Sequence, residues 1–283
     1  MKNYIIVNEF FCHETFNKVY LELQKAFNSL GEELQVLTNV QARKLINKKG
    51  NNAPVLFYDK DVYLAKLLEK SGYRCVNGSF AIETCDDKAK TYLALKDKVP
   101  MPKTYLAPFC YDGYLYTNTD FLRGIYQTLG FPLIVKENKG SFGAQVYLVN
   151  DKSELVDLIN NLGHSEFLFQ KFIDESCGKD IRVYVVGGKV VASAMRYNDK
   201  DFRSNVTNGG HMQKIELSKE YEEVALTAVK EVGADFAGVD LLITKEGPLV
   251  CEVNSNAHFN ELSRVSGVSV AQEIAKYFLS LKK

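Results

Sequence analysis

Four short apolar runs punctuate the first 85 residues: YIIV (4–7), LQVLT (34–38), VLFY (55–58) and YRCV (73–76). After the first, Phe16, Val19, Tyr20, Leu23, Phe27 and Leu30 recur at helical spacing, and Gly31 supplies a stop. Before the fourth, Asp61 stands where it can cap a helix whose apolar face is Val62, Leu64, Leu67 and Leu68, with Gly72 behind it. Strands that alternate with helices pair in parallel, because parallel pairing needs a long crossover. The stretch 1–85 therefore predicts a small parallel α/β domain.

The pattern changes near residue 86. A helix over 87–96 leads into KVPMPKT, where two prolines interrupt the chain. A helix over 121–129 ends at Gly130. LIVK (133–136) and VYLV (146–149) flank KGSFG (139–143), a hairpin with a glycine-bearing loop. Asp151 opens a further helix, with Glu154 placed for a capping box, and FLFQKFI (167–173) follows. Around Gly187-Gly188, IRVYVV (181–186) and VVASA (190–194) read as a second hairpin. A helix opens at Ser218, strands follow over 238–243 and 248–253, and a last helix starts at Ser269 with Gln272 in capping-box position. Residues 86–283 thus read as a larger mixed α/β unit, and 283 residues suit two or three packed units.

Hydrophobic residues are 46% and charged residues 25%, the ordinary globular range. Lys+Arg and Asp+Glu are 35 each, so no net field draws the chain to nucleic acid or an anionic membrane, and any anion site is built locally. No apolar run reaches the roughly 20 residues of a membrane helix, and MKNYIIVNEFF reads as a first strand rather than a signal peptide. Cys12, Cys75, Cys85, Cys110, Cys177 and Cys251 form no C-x-x-C pair, which predicts reduced thiols in a cytoplasmic protein.

The last hairpin carries charge where a buried strand should not. Glu252 and Asn254 share one strand face, with Cys251 and Val253 on the other. Reading Lys245-Glu246-Gly247 as a three-residue loop sets Thr244 opposite Pro248 and Asp240 opposite Glu252. Like charges facing each other are destabilising. Either both acids are solvated, or a divalent cation joins them with the Asn254 amide in an all-oxygen site. Lys136 points toward the KGSFG loop, which is a plain turn or a phosphate cradle of backbone N–H groups. It is no Walker A loop, since no G-K-[ST] and no helix follow. Asp180, Arg182 and Tyr184 share one face of their strand, and Arg203 lies in a polar Asn- and Gly-rich segment (201–210), either a solvated loop or a fork for phosphate. His13, His164, His211 and His258 have no metal-ligand spacing.

In order, DDKAK, IVKENKGSFG, FQKFI with GKDIRVYVVGGKVVAS, DFRSN and AGVDLLITKEGPLVCEVNSN resemble the ATP-grasp superfamily, within it the ribosomal protein S6 glutamate ligase-like (RimK-like) group. The resemblance covers about 86–283. It implies an ATP-grasp fold, α/β and α+β, with two α+β subdomains sandwiching ATP (about 100–170, and 171–283) behind an N-terminal Rossmann-like domain over 1–85. Further implications concern single residues. Lys88, Lys136 and the loop residues Gly140, Ser141 and Gly143 would hold phosphates, with 139–143 as a lid. Lys171 and Phe172 would hold adenine. Asp180, Arg203, Ser204 and Asn205 would contact nucleotide, and Arg203 would also stabilise the reacting acyl phosphate. Asp240, Glu252 and Asn254 would bind two Mg2+ or Mn2+ ions. The implied reaction is ADP-forming ligation of an amino acid, glutamate foremost, to a small-molecule or peptide carboxylate, by a cytoplasmic dimer or tetramer that takes neither nucleic acid nor membrane. The alternatives are an ATP-grasp kinase and a nucleotide-binding regulator without turnover. Lys171 stands where relatives often have an acid, and EVNSNAHF lacks the proline-glycine turn of the ribosomal-protein ligases. That ending looks more like branches that modify a deazaflavin cofactor or an amino-acid carrier.

Overall fold

The computed structural model describes residues 2–11, 13–205 and 209–282. Its first unit contains β1 (Asn3–Val7), α1 (Glu14–Ser29), β2 (Leu34–Thr38), α2 (Asn39–Ala42), β3 (Pro54–Phe57), α3 (Val62–Lys70), β4 (Arg74–Val76) and α4 (Ser79–Cys85). The four strands pair in parallel in the order β2-β1-β3-β4. β3 is buried at every position, as a parallel strand covered on both faces must be. Asp61 caps α3 as its position predicts, accepting from the Leu64 N–H at 2.9 Å. A capping box between Thr38 and Gln41 starts the short α2.

The second sheet follows α5 (Lys88–Leu95), whose N-cap is Asp87. It comprises β5 (Thr104–Leu106), β6 (Leu133–Glu137), β7 (Val146–Val149) and β8 (Phe167–Lys171), antiparallel in the order β5-β8-β6-β7. α6 (Phe121–Leu129) and α7 (Lys152–Leu162) close one core with it around Leu133, Phe167 and Phe169. The Glu154 carboxylate accepts from the N–H of Asn150 rather than that of the cap residue Asp151, so the box expected there is displaced by one residue.

The third sheet is β9 (Lys179–Val186), β10 (Lys189–Tyr197), β11 (His211–Lys214), β12 (Phe236–Thr244) and β13 (Gly247–Asn254), in the order β11-β10-β9-β12-β13. α8 (Lys219–Glu231) covers one face, packing on Ile181, Val183 and Val185. α9 (Asn260–Ser266) and α10 (Val270–Ser280) cover the other with α1, around Tyr184 and Val186. This is the alternation read from IRVYVV.

The last hairpin keeps the expected pairing of Asp240 with Glu252 but corrects how it arises. Thr244 pairs with Gly247 and Ile243 with Pro248, so the turn is shorter by a residue than the three-residue loop predicts. A bulge then inserts Cys251 between the partners of Leu241 and Asp240 and restores the acid pair. The bulge also corrects the facing of Cys251, which lines the same cleft as Glu252 instead of turning away with Val253.

Cys75, Cys85, Cys110, Cys177 and Cys251 are free thiols, while Cys12 lies outside the described residues. Among the described residues, no helix is long and apolar enough to cross a membrane.

A candidate nucleotide site between two sheets

A cleft of about 910 Å³, counting space open to solvent, lies between the second and third sheets. It collects Lys88, Lys136, Gly140, Ser141, Gly143, Lys171, Phe172, Asp180, Arg203, Ser204, Asn205, Asp240 and Glu252, which are all the sequence-derived site residues except Asn254. Asn254 ends β13 two residues beyond Glu252, opposite Gly238, and is not part of the lining. Of the polar segment over 201–210, residues 206–208 lie outside the described residues.

Each position follows from an element. Lys136 sits near the end of β6, buried, with its ammonium 3.5 Å from the Cys251 sulfur. Lys88 opens α5, and its backbone N–H donates to Asn138 O at 2.8 Å, which ties the helix to the strand leading into the glycine loop. Burial pushes the Lys88 ammonium down, and the Glu252 carboxylate works against that shift. Burial likewise raises the Cys251 thiol, partly opposed by Lys136. Among the described residues, neither Lys88 nor Lys136 has a carboxylate within ion-pair distance.

The acids are arranged differently from expectation. Arg182 grips Asp240 with two nitrogens, one at 2.9 Å from Oδ2, and Arg196 approaches the same oxygen at 2.9 Å. Arg196 also forks onto Asp180, at 2.7 and 2.5 Å. Burial opposes the Asp240 anion, but Arg182 and Arg196 more than offset it and hold its carboxyl below the usual range. Asp240 and Glu252 therefore need no cation from solution to coexist, because two guanidiniums already relieve their repulsion. The Glu252 side chain carries no hydrogen bond or ion pair among the described residues. Glu252 and Asn254 offer open oxygen donors, and Asp240 one already shared, a hard donor set that fits magnesium. No group of three His, Cys, Asp or Glu side chains holds a metal among the described residues, so any ion here would take oxygen also from amide, water or phosphate.

The glycine loop is held from three sides. Lys60 donates to Ser141 Oγ at 3.1 Å from the first unit, and Arg203 donates to Gly143 O at 2.5 Å from the third. Phe142 lies near His13 and His258, with ring centroids 6.4 and 5.9 Å away. His211 instead sits on the edge strand β11 beside Tyr197.

Sequence reasoning missed Arg196, Cys251 and Lys60. For Arg196 the signal is misleading: counting back from Gly187-Gly188 sets Met195 opposite Asp180, but a bulge between Val190 and Ala192 moves Arg196 there. Lys60 reaches Ser141 across 81 positions, which no local pattern reveals.

A family model for the RimK-like ATP-grasp domain matches residues 85–278. The chain is 38% identical to human N-acetylaspartylglutamate synthase A over 81% of its own length and 58% of that protein. It is 36% identical to a probable alpha-L-glutamate ligase of Legionella pneumophila, over 74% of this chain and 68% of that one. The chain thus spans little more than half of the first of these relatives. The crystal structure of D-alanine–D-alanine ligase from Bacillus anthracis complexed with ATP superposes with a TM-score of 0.73 over 99% of this chain and 95% of that one, at 22% identity, a likeness of fold. With two antiparallel sheets facing across one cleft and a matching family model over most of its length, the chain belongs to the RimK-like ATP-grasp family.

Proposed function

We propose that the chain is an ATP-dependent, ADP-forming carboxylate–amine ligase that joins an amino acid, L-glutamate foremost, to an acceptor carboxylate through an acyl phosphate. The observation that carries this reading is the pair of sheltered ammonium groups, Lys88 and Lys136, that face a cleft without a carboxylate partner. Desolvated cations left unpaired are costly, and an anionic ligand offsets that cost. Six cations line the cleft, Lys88, Lys136, Lys171, Lys179, Arg196 and Arg203, against the three acids Asp180, Asp240 and Glu252. That excess suits a triphosphate.

In this reading Lys88 and Lys136 offset charge on the transferring phosphoryl group, and the backbone of 139–143 closes over it. Lys171 and Phe172 border the adenine, and Arg203, beside Gly143, steadies the acyl phosphate. Glu252, Asn254 and Asp240 would hold two Mg2+ or Mn2+ ions, which when bound offset phosphate charge. Residues 1–85, reaching the loop through Lys60, help to form the acceptor site. The relatives named for N-acetylaspartylglutamate and for alpha-L-glutamate support glutamate as the amine and a small dicarboxylate as the acceptor.

The test is a product assay with ATP, MgCl2, L-glutamate and a panel of carboxylates led by N-acetyl-L-aspartate. Acceptor-dependent ADP, together with a product whose mass is that of both substrates less water, is expected. A stable phosphorylated acceptor would make the chain a kinase, and absence of acceptor-dependent ADP would leave a nucleotide-binding regulator.

A further inference from the structure

The segment leaving β13 alternates. Ala257 and Phe259 are buried in the core that the first unit shares with the third sheet. Asn256, His258 and Asn260 interleave with them, and each ends in a buried polar atom without a hydrogen-bond partner: Asn256 Oδ1, His258 Nε2 and Asn260 Oδ1. Each such atom costs about 1–3 kcal/mol, so three within five residues point to a ligand that completes the bonding. Two of the three are amide oxygens, which only accept, so that ligand brings hydrogen-bond donors.

His258 has the most defined setting. Its ring stands edge-on to Phe16 at 4.0 Å between centroids and edge-on to Phe142 at 5.9 Å. It is thus held between α1 and the tip of the loop whose Gly140, Ser141 and Gly143 line the cleft. Burial above all, then Arg182 on β9 and His13 before α1, press its pKa down to about 4. The charged groups that reach the loop beside it, Lys60 and Arg203, are each paired with a carboxylate, Asp86 and Asp201. The ring is therefore neutral at neutral pH, and a neutral imidazole keeps one acceptor lone pair.

We infer that His258 receives the incoming amine: its neutral imidazole, flanked in the chain by the Asn256 and Asn260 amides, binds the amino group of the amino-acid substrate and positions it for attack. The inference rests on the ligase reading above. In the step, the amine lone pair forms a C–N bond to the acyl carbon. The C–O bond to phosphate breaks, and its electron pair leaves with inorganic phosphate. The proton shed by the attacking nitrogen leaves with the departing phosphate.

Two variants test it. His258→Phe keeps a ring between Phe16 and Phe142 and removes the nitrogens, while His258→Gln keeps a polar atom. Both are assayed beside the unaltered chain with ATP, Mg2+ and N-acetyl-L-aspartate, once with hydroxylamine, which is already deprotonated at neutral pH, and once with L-glutamate. Amide formation at sub-saturating L-glutamate is expected to fall about 30-fold in His258→Phe, through a raised KM for L-glutamate, and by less in His258→Gln. Hydroxamate formation, which reports the acyl phosphate, is expected to fall by no more than about threefold. Equal loss of both products would move His258 to the acceptor side or to folding and overturn the inference, as would an undiminished amide rate. If the unaltered chain makes neither product with any carboxylate of the panel, the ligase reading itself fails and the inference falls with it.

Discussion

Asp240 and Glu252 face each other on neighbouring strands, but only one of them is enclosed by arginines, and the two should respond differently to the same chemical change. Glu252→Gln removes a charge with no partner in contact. Magnesium-dependent ADP formation should fall by about 100-fold with the thermal midpoint unchanged. Asp240→Asn strips the carboxylate from Arg182 and takes one of two from Arg196, both buried. Breaking a buried pair this way costs about 3–5 kcal/mol, and Asp180 still holding Arg196 places the loss toward the lower end. The pH dependence has a fixed sign. The folded-state pKa of Asp240 lies below its unfolded value, so its contribution is complete above about pH 4 and is lost as pH falls through the folded value. Urea midpoints of the unaltered and Asp240→Asn chains should therefore differ at pH 7 and converge in acid. Equal midpoints at pH 7 would show that the arginine clamp contributes nothing to the fold.

At the scale of elements, the loop 139–143 is where local backbone borders the proposed nucleotide cleft. Gly143 has φ +73°, and a Cβ there would come within 3.2 Å of both Arg203 Cδ and Asn205 Oδ1. Gly143→Ala is expected to raise the KM for ATP about tenfold, through strain of about 1 kcal/mol and displacement of Arg203. Gly113→Ala is the matched control: its φ is +80°, but open space surrounds it and it lies outside the cleft. If both variants raise KM alike, the loop has no special part in nucleotide binding. The loop was legible in the sequence because two strong strands flank it, and so were the parallel sheet and the acid pair. The path between was not. Counting by twos from a turn assumes that no residue is inserted, and both long hairpins contain a bulge. In one the bulge cancelled a misjudged turn and left Asp240 opposite Glu252; in the other it concealed Arg196. α4, β5, β11 and α9 went unread because, at three to seven residues, they are too short for periodicity to declare.

Across the whole molecule, the first unit is not simply appended to the family domain. One face of its sheet has its own core around Ile6, Phe57 and Leu68. The other joins Ile5, Leu56 and Val76 to Tyr184, Phe236, Phe259 and Phe278 in a single cluster. Polar anchors cross the same boundary. Tyr58 Oη donates to Ala257 O at 2.8 Å. Asn77, fully buried, donates to Phe236 O and Ser255 O and accepts from the N–H groups of Asp235 and Phe236. One side chain thus satisfies four backbone groups of the third sheet and of the segment that carries His258. Asn77→Ala leaves those groups without their partner, at about 1–3 kcal/mol for each one that water does not reach. The total loss should exceed about 3 kcal/mol by urea unfolding, in one transition seen alike by far-UV circular dichroism and tyrosine fluorescence, because a shared core melts as a unit. Two separated transitions would mean that residues 1–85 fold independently of the cleft. A single one, with turnover lowered beyond the unfolded fraction, would tie the placement of the 255–258 segment to this anchor.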